Sequence, residues 1–304
     1  MSTIEEVLSG AAQWCAIEGD NRLVLPTIPD GSIDAVVTDP IYAEVDRHYG
    51  RITEAQWEAL MWDHVIPQTR RILKPTGSAV FIIQPNSEKI GRMRGWVFRF
   101  MARVCAEWNM VQDAYWWNVS AQPCRHTWRE TGLMRPSVKP CIWAGEPDCW
   151  RDQAAVLWTQ SDSNAAKDRS DRVLRHHPSG NTSRVGRMSG TADERGGVTP
   201  FNLIPVANAN SNRSAGSEGH GAGTPYDLAA WWTRYICPPG GVVLDMFGGA
   251  GTMAEAARDQ GRRCILIEQD PTSIPRIHAT MARQPRGSEY RPPPPGQITF
   301  PGLT

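Results

Sequence analysis

The chain has 304 residues, about twice what one compact domain commonly needs, so a sizeable hydrophobic core is within reach. Lys and Arg number 32 and so do Asp and Glu, which leaves a formal net charge of zero and requires any basic face to be local. No apolar run approaches the roughly 18 residues of a membrane span, and the acidic start M-S-T-I-E-E-V-L has neither the basic flank nor the apolar core of a signal peptide, so a cytoplasmic, non-membrane protein is expected.

Residues 14–19 (W-C-A-I-E-G) read as a short strand ending at Gly19-Asp20. Pro29-Asp30-Gly31 marks a turn. Residues 33–38 (I-D-A-V-V-T) are an apolar run of strand length that stops at Asp39-Pro40, the pattern of a buried parallel strand. From 54 to 73 the period becomes helical. Trp57, Leu60, Met61, Val65, Ile72 and Leu73 share one face, Pro67 predicts a kink, and Lys74-Pro75-Thr76-Gly77 is expected to close the helix. A second buried strand is expected at 78–83, a helix on Trp96, Phe100, Met101, Val104 and Trp108, and strands near 110–118 and 138–144.

From about 159 to 223 the chain is rich in Ser, Gly, Asn, Asp and Arg, which reads as a long functional insertion or as disorder. Order returns with a helix at 226–237, a strand at 242–246, a glycine-rich turn at 247–252 and a helix at 252–260. A strand at 263–267 ends at Glu268, and a last helix follows near 272–283. The tail with Pro292 to Pro295 is expected to be extended and mobile. Strands alternating with helices predict an α/β fold with a doubly wound, mostly parallel sheet, which binds ligands beyond the carboxyl ends of its strands.

The seven cysteines form no C-x-x-C pair and none is set beside histidines, which speaks for buried thiols and against a metal site or a disulfide framework. Trp116-Trp117 and Trp231-Trp232 belong to an unusually large complement of thirteen tryptophans and read as core or dimer surface.

Three strand ends carry chemistry. The first is L-D-M-F-G-G-A-G-T at 244–252, where a strand delivers Asp245 and a tight turn with glycines at 248, 249 and 251 brings backbone N–H groups toward one point. The next strand ends in Glu268, an acceptor suited to a ribose diol. The pair suits a nucleoside-bearing cofactor; a plain strand-to-helix turn with a solvated Glu is the alternative. The second is T-D-P-I-Y at 38–42. Asp39 offers an acceptor, Pro40 a rigidly aimed carbonyl and Tyr42 a flat face, parts that suit a planar base with an exocyclic amino group or, more plainly, a polar loop capping a strand. The third is Gly19-Asp20-Asn21, either a turn or a carboxylate placed for an adenine amino group.

Together these residues resemble the amino-group DNA methyltransferases, which make N6-methyladenine or N4-methylcytosine from S-adenosylmethionine. The family's catalytic motif is D/N/S-P-P-Y/F and its cofactor motif typically D-P-F-x-G-S-G-T. Here the catalytic-like motif comes first and the cofactor-like motif near the end, an order similar to the β group. Residues 19–40 (G-D-N-R-L-V-L-P-T-I-P-D-G-S-I-D-A-V-V-T-D-P) are similar to the family's opening, as are R-I-L-K-P-T-G at 71–77, K-P-C-I-W at 139–143 and P-P-G-G-V-V-L-D at 238–245. Ile41 stands where the family usually has a second proline, Met246 replaces a proline, Ala250 a serine, and Thr224-Pro225 stands in place of Lys-Pro.

The resemblance implies a seven-stranded Rossmann-like methyltransferase sheet with a polar target-recognition insertion. Residues 1–147 and 224–284 would form the catalytic domain, 148–223 the insertion and 285–304 a flexible tail. Asp39, Pro40 and Tyr42 would be catalytic: Asp39 and the Pro40 carbonyl accept the two N–H bonds of a flipped-out base, and Tyr42 stacks on it. Asp20, Asp245, Phe247, Gly249, Gly251 and Glu268 would bind S-adenosylmethionine, with no metal required. Arg169, Arg172, Arg175, Arg184 and Arg187 would meet DNA. Asp rather than Ser at 39 points to adenine N6 over cytosine N4. Double-stranded DNA is the implied partner, with a second copy of the chain and a restriction endonuclease as further candidates. A catalytically inactive DNA-binding relative is the rival reading, against which the intact Asp39, Tyr42 and glycine turn speak.

Overall fold

Residues Ile33–Thr38 have no polar face to turn outward, and they form a strand in which every residue is buried. Its one carboxylate is satisfied in place: Asp34 accepts hydrogen bonds from Lys74 Nζ and from the N–H of Val242, both at 2.8 Å, as a buried polar group must.

The computed structural model describes residues 2–46, 50–121, 131–159, 173–176, 178–180, 182–185, 196–208 and 223–286. These fall into two compact units, one running Met1–Asp152 and Asn202–Tyr290, the other built on Gln153–Phe201.

The strands are β1 (Trp14–Glu18), β2 (Ile33–Thr38), β3 (Leu73–Ile82), β4 (Ser87–Lys89), β5 (Arg92–Met93), β6 (Met110–Gln112), β7 (Tyr115–Trp117), β8 (Val138–Gly145), β9 (Val173–His176), β10 (Thr182–Val185), β11 (Leu203–Pro205), β12 (Val242–Asp245) and β13 (Arg263–Glu268). The helices are α1 (Ile4–Ser9), α2 (Asn21–Val24), α3 (Glu54–Ala59), α4 (Ile66–Ile72), α5 (Trp96–Glu107), α6 (Tyr226–Ile236), α7 (Thr252–Asp259) and α8 (Ile274–Met281).

In the larger unit nine strands form one sheet in the order β1-β13-β12-β2-β3-β8-β7-β11, with β6 also paired to β8. From β1 through β3 all neighbours are parallel, as are β7 and β11, while β8 runs antiparallel to β3, β6 and β7. The mostly parallel α/β sheet is as expected, with nine strands rather than seven. The segment expected as one strand at 110–118 is broken at Asp113-Ala114 into β6 and β7, and residues 203–205 add an edge.

The run from 54 to 72 is continuous through Pro67, where a kink is expected: a π-helical stretch, Leu60–Val65, joins α3 to α4, and Pro67 falls in the first turn of α4. One local expectation is corrected. Lys74-Pro75-Thr76-Gly77 does not close the helix but belongs to β3. Leu73 pairs with Ile33 and pairing resumes at Ser78 with Ala35, so the irregular register takes up the extra residues.

Trp57, fully buried, meets Trp96 and Phe100 edge-on with ring centroids 4.6 and 5.1 Å away. Trp116, Trp231 and Trp232 are buried too, which fits the core reading of those pairs. The six described cysteines are free and five are buried; Cys124 lies outside the described residues.

In the smaller unit β9 and β10 pair antiparallel, so part of the polar stretch is a two-stranded ribbon. Arg175 and Arg184 lie on those two strands. Arg169, Arg172 and Arg187 fall outside the described residues, as does the tail from 287. Among the described residues no helix is long and apolar enough to cross a membrane.

Candidate active site

The chain's strand order reverses between β12 and β2, and at such a switch point the loops beyond the strands part to leave a crevice. A cleft of about 1030 Å³ lies there, walled among others by Asp20, Asp39, Tyr42, Thr224, Phe247 and Glu268. These residues come from four strand ends and from the start of α6. All but Thr224 belong to separate motifs in the sequence, and the sheet brings them to one cavity.

Beyond β2, Asp39 is half-buried and holds a hydroxyl on each carboxylate oxygen. Tyr42 Oη donates to Oδ1 at 2.6 Å and Thr224 Oγ1 donates to Oδ2 at 2.7 Å. The Tyr42 contact is a departure from a ring simply poised for stacking. Pro40 is buried and belongs to the cleft wall. Ile41, in place of the family's second proline, directs its carbonyl at Trp57 Nε1, 2.6 Å away. A buried indole thereby supplies the rigidity that a ring at 41 would give.

The cofactor-like turn is built from beneath. Asp245 is buried, and its Oδ1 accepts from Thr38 Oγ1 at 2.6 Å and from the Phe247 N–H at 3.1 Å. Burial pushes its carboxyl up to about 7; the two donors pull the other way, and the Asp39 and Glu268 charges add to the rise. Asp245 thus braces the turn from below. Gly248 packs on β13, with its N–H on Ile267 O at 2.9 Å. Gly249 has φ +50, and a Cβ there would meet only Phe247 O, at 3.8 Å, so a ligand can approach the backbone. Gly251 lies between Ala250 and Thr252, which line the cleft. It opens α7 at φ +84, and a Cβ would lie 3.2 Å from Ile277 Cα, so its bareness serves the packing of α8.

Glu268 ends β13 and accepts the Gly249 N–H on Oε2 (2.6 Å) and the Asp270 N–H on Oε1 (2.8 Å). These two bonds orient its carboxylate at the cleft wall. Asp20 caps α2 by accepting from the Arg22 N–H at 2.9 Å and is paired with the Arg22 guanidinium, which holds its carboxyl below the usual range. An adenine amino group would have to share that carboxylate with Arg22. The approachable Gly249 backbone, the oriented Glu268 and the Asp20 acceptor fit a nucleoside-bearing group.

Three contacts at the site are not announced by the sequence. Thr224 stands out there only as a departure from Lys-Pro. Asn21 reaches the Met246 carbonyl at 3.4 Å, joining the β1 and β12 loops. Trp57 reads in the sequence as core alone. Each acts on a partner remote in the chain, which no local pattern discloses. Among the described residues no group of three His, Cys, Asp or Glu is placed to hold a metal ion.

The fold is that of an amino-group methyltransferase. The chain belongs to the N6/N4 DNA methylase family, whose profile matches residues 33–278. It is 27% identical over 283 residues to the type II methyltransferase M.PvuII of Proteus hauseri, a match spanning 84% of this chain and 80% of that one. The solved structure of the PvuII DNA methyltransferase, described as cytosine-N4-specific, superposes with a TM-score of 0.67 at 20% identity, covering 91% of this chain and 89% of that one. A putative DNA modification methylase of Thermus thermophilus, complexed with S-adenosyl-L-methionine, gives a TM-score of 0.54 at 18% identity, covering 89% and 97%.

Proposed function

We propose that this DNA methylase transfers a methyl group from S-adenosylmethionine to the exocyclic N6 of an adenine flipped out of duplex DNA. The observation that carries the reading is the placement of Asp39, at the end of β2, across one cleft from the Gly249–Glu268 turn. The cofactor supplies a methyl group activated on a sulfonium. Glu268 would hold its ribose, Gly249 and Phe247 its remainder, and Asp20 its adenine. An amino nitrogen conjugated with a base is a poor nucleophile. Asp39 and the Pro40 carbonyl would accept its two N–H bonds and turn its lone pair toward the methyl group. Positioning and preorganised acceptors then supply much of the rate. Tyr42 would stack on the extruded base, recovering about 1–3 kcal/mol of the stacking lost.

Asp rather than Ser at 39 favours adenine. A second reading, cytosine N4, is favoured by the printed specificity of the PvuII structure; cytosine offers the same two donors. Residues 148–223, with Arg175 and Arg184 among their basic groups, are assigned to sequence reading through phosphates and base edges.

The test is to incubate the protein with labelled S-adenosylmethionine and unmethylated duplex DNA, digest to nucleosides and identify the product. N6-methyladenine supports the main reading. N4-methylcytosine keeps the mechanism and replaces the base. No methylated base, with cofactor bound, would leave a DNA-binding relative that has lost the step.

A further inference from the structure

The two hydroxyls on Asp39 differ in kind. Tyr42 lies three residues on, in the same half-open loop, whereas Thr224 comes from 185 positions away and is 6% exposed. Thr224 precedes Pro225, the N-cap of α6, whose carbonyl already accepts the Ala229 N–H at 3.1 Å. The helix behind it is buried along most of its length. The Thr224 hydroxyl is thus delivered by a rigid element to a fixed point, which is what a preorganised support needs. Tyr42, by contrast, is asked to do two things. Its hydroxyl occupies Oδ1, toward which an incoming amino group would donate, and its ring is the stacking surface for the base.

We propose that Thr224 is a positioning residue for methyl transfer. Its hydroxyl stays on Oδ2 and holds the carboxylate of Asp39 in place while Oδ1 passes from the Tyr42 hydroxyl to the amino group of the target base. The terminal torsion of an aspartate is broad and roughly two-fold. A carboxylate that gave up the Tyr42 donor would be freer to swing. The buried Thr224 bond removes that freedom when the base enters. The proposal rests on the role given above to Asp39.

The experiment compares wild type, Thr224→Ser and Thr224→Val in single-turnover methyl transfer to duplex DNA, with cofactor affinity measured separately by calorimetry. A hydrogen bond to a charged partner corresponds to a rate loss of about ten- to a hundredfold in the Val variant. Its cofactor Kd should stay within about twofold, as Thr224 is not assigned to the cofactor. The acid limb of its pH–rate profile should move to higher pH, because a carboxylate without its donor protonates more easily. Thr224→Ser should restore both the rate and the limb. A Val variant with wild-type rate and an unmoved limb overturns the proposal. So does an equal loss in Ser and Val, since Ser keeps the hydroxyl on which the proposal relies, or a rate loss matched by lost cofactor affinity. A wild-type chain that transfers no methyl group sinks the functional reading and this proposal together; one that transfers while Thr224→Val is unchanged sinks this proposal alone.

Discussion

Thr38 and Asp245, 207 residues apart, are joined by a 2.6 Å hydrogen bond between buried side chains at the ends of neighbouring parallel strands. Thr38 immediately precedes Asp39, and Asp245 opens the glycine turn. One short contact therefore ties the loop assigned to the base to the loop assigned to the cofactor, and both depend on the same carboxylate.

That carboxylate makes stability fall as pH rises. Burial lifts the Asp245 carboxyl to about 7, while in the unfolded chain it lies near 4. Between these values the native state keeps a proton that the unfolded chain has shed. The contribution is therefore full below about pH 4 and is lost as pH rises through about 7. Both recorded bonds fall on Oδ1, so Asp245→Asn can keep them with its amide oxygen. The unfolding free energy of Asp245→Asn relative to wild type should grow by about 1–3 kcal/mol between pH 5 and pH 8. Denaturant titrations at the two pH values measure it, and a pH-independent difference would contradict the assignment.

Asp39 and Glu268 should fail in different ways. Asp39→Ala should lower single-turnover transfer by about 10²–10³-fold, the scale for a lost preorganised contact, with cofactor affinity nearly unchanged. Glu268→Gln keeps one carbonyl for two backbone N–H donors, so its loss should fall on the cofactor, at about ten- to a hundredfold in Kd. Equal loss of cofactor binding in both variants would refute this division of labour.

Gly251→Ala meets two obstacles. The left-handed backbone costs a side chain about 1–2 kcal/mol, and the new methyl would sit 3.2 Å from Ile277 Cα. A lowered Tm is expected. Gly240→Ala, also at positive φ but with open space around it, should lose less. An equal loss in the two would show that the contact with α8 is immaterial.

Trp57→Phe separates packing from hydrogen bonding. The ring still meets Trp96 and Phe100, but the Ile41 carbonyl loses its donor, at a cost of about 1–3 kcal/mol if no water replaces it. Because that carbonyl lies in the loop proposed to receive the base, transfer should slow more than cofactor binding weakens. Kinetics at a temperature well below the variant's Tm distinguish this from simple unfolding.

Much of the site was legible because parallel strands announce themselves. Asp39, Asp245 and Glu268 each end a short apolar run, and in such a sheet the ends of the runs share one edge. What could not be read was which side chain holds which. Thr224 on Asp39, Asn21 on Met246 and Trp57 on Ile41 are pairings between distant segments, set by tertiary placement. The split of 110–118 and the inclusion of Lys74-Pro75-Thr76-Gly77 in β3 were missed for a related reason. Strand boundaries on the β8 side and at the start of β3 follow the partner strand's register, which the local run of residues does not contain.

The sheet order has a consequence for how the chain is made. The first two strands, β1 and β2, are not neighbours: β13 and β12 lie between them. Residues 242–268 emerge only after more than two hundred others, so until then β1 has no partner and β2 presents one bare hydrogen-bonding edge to whatever the cell contains. Open apolar edges invite pairing with other chains. A fragment ending before residue 242 should therefore aggregate, and the nascent protein should lean on chaperones until its last fifth slides into the gap.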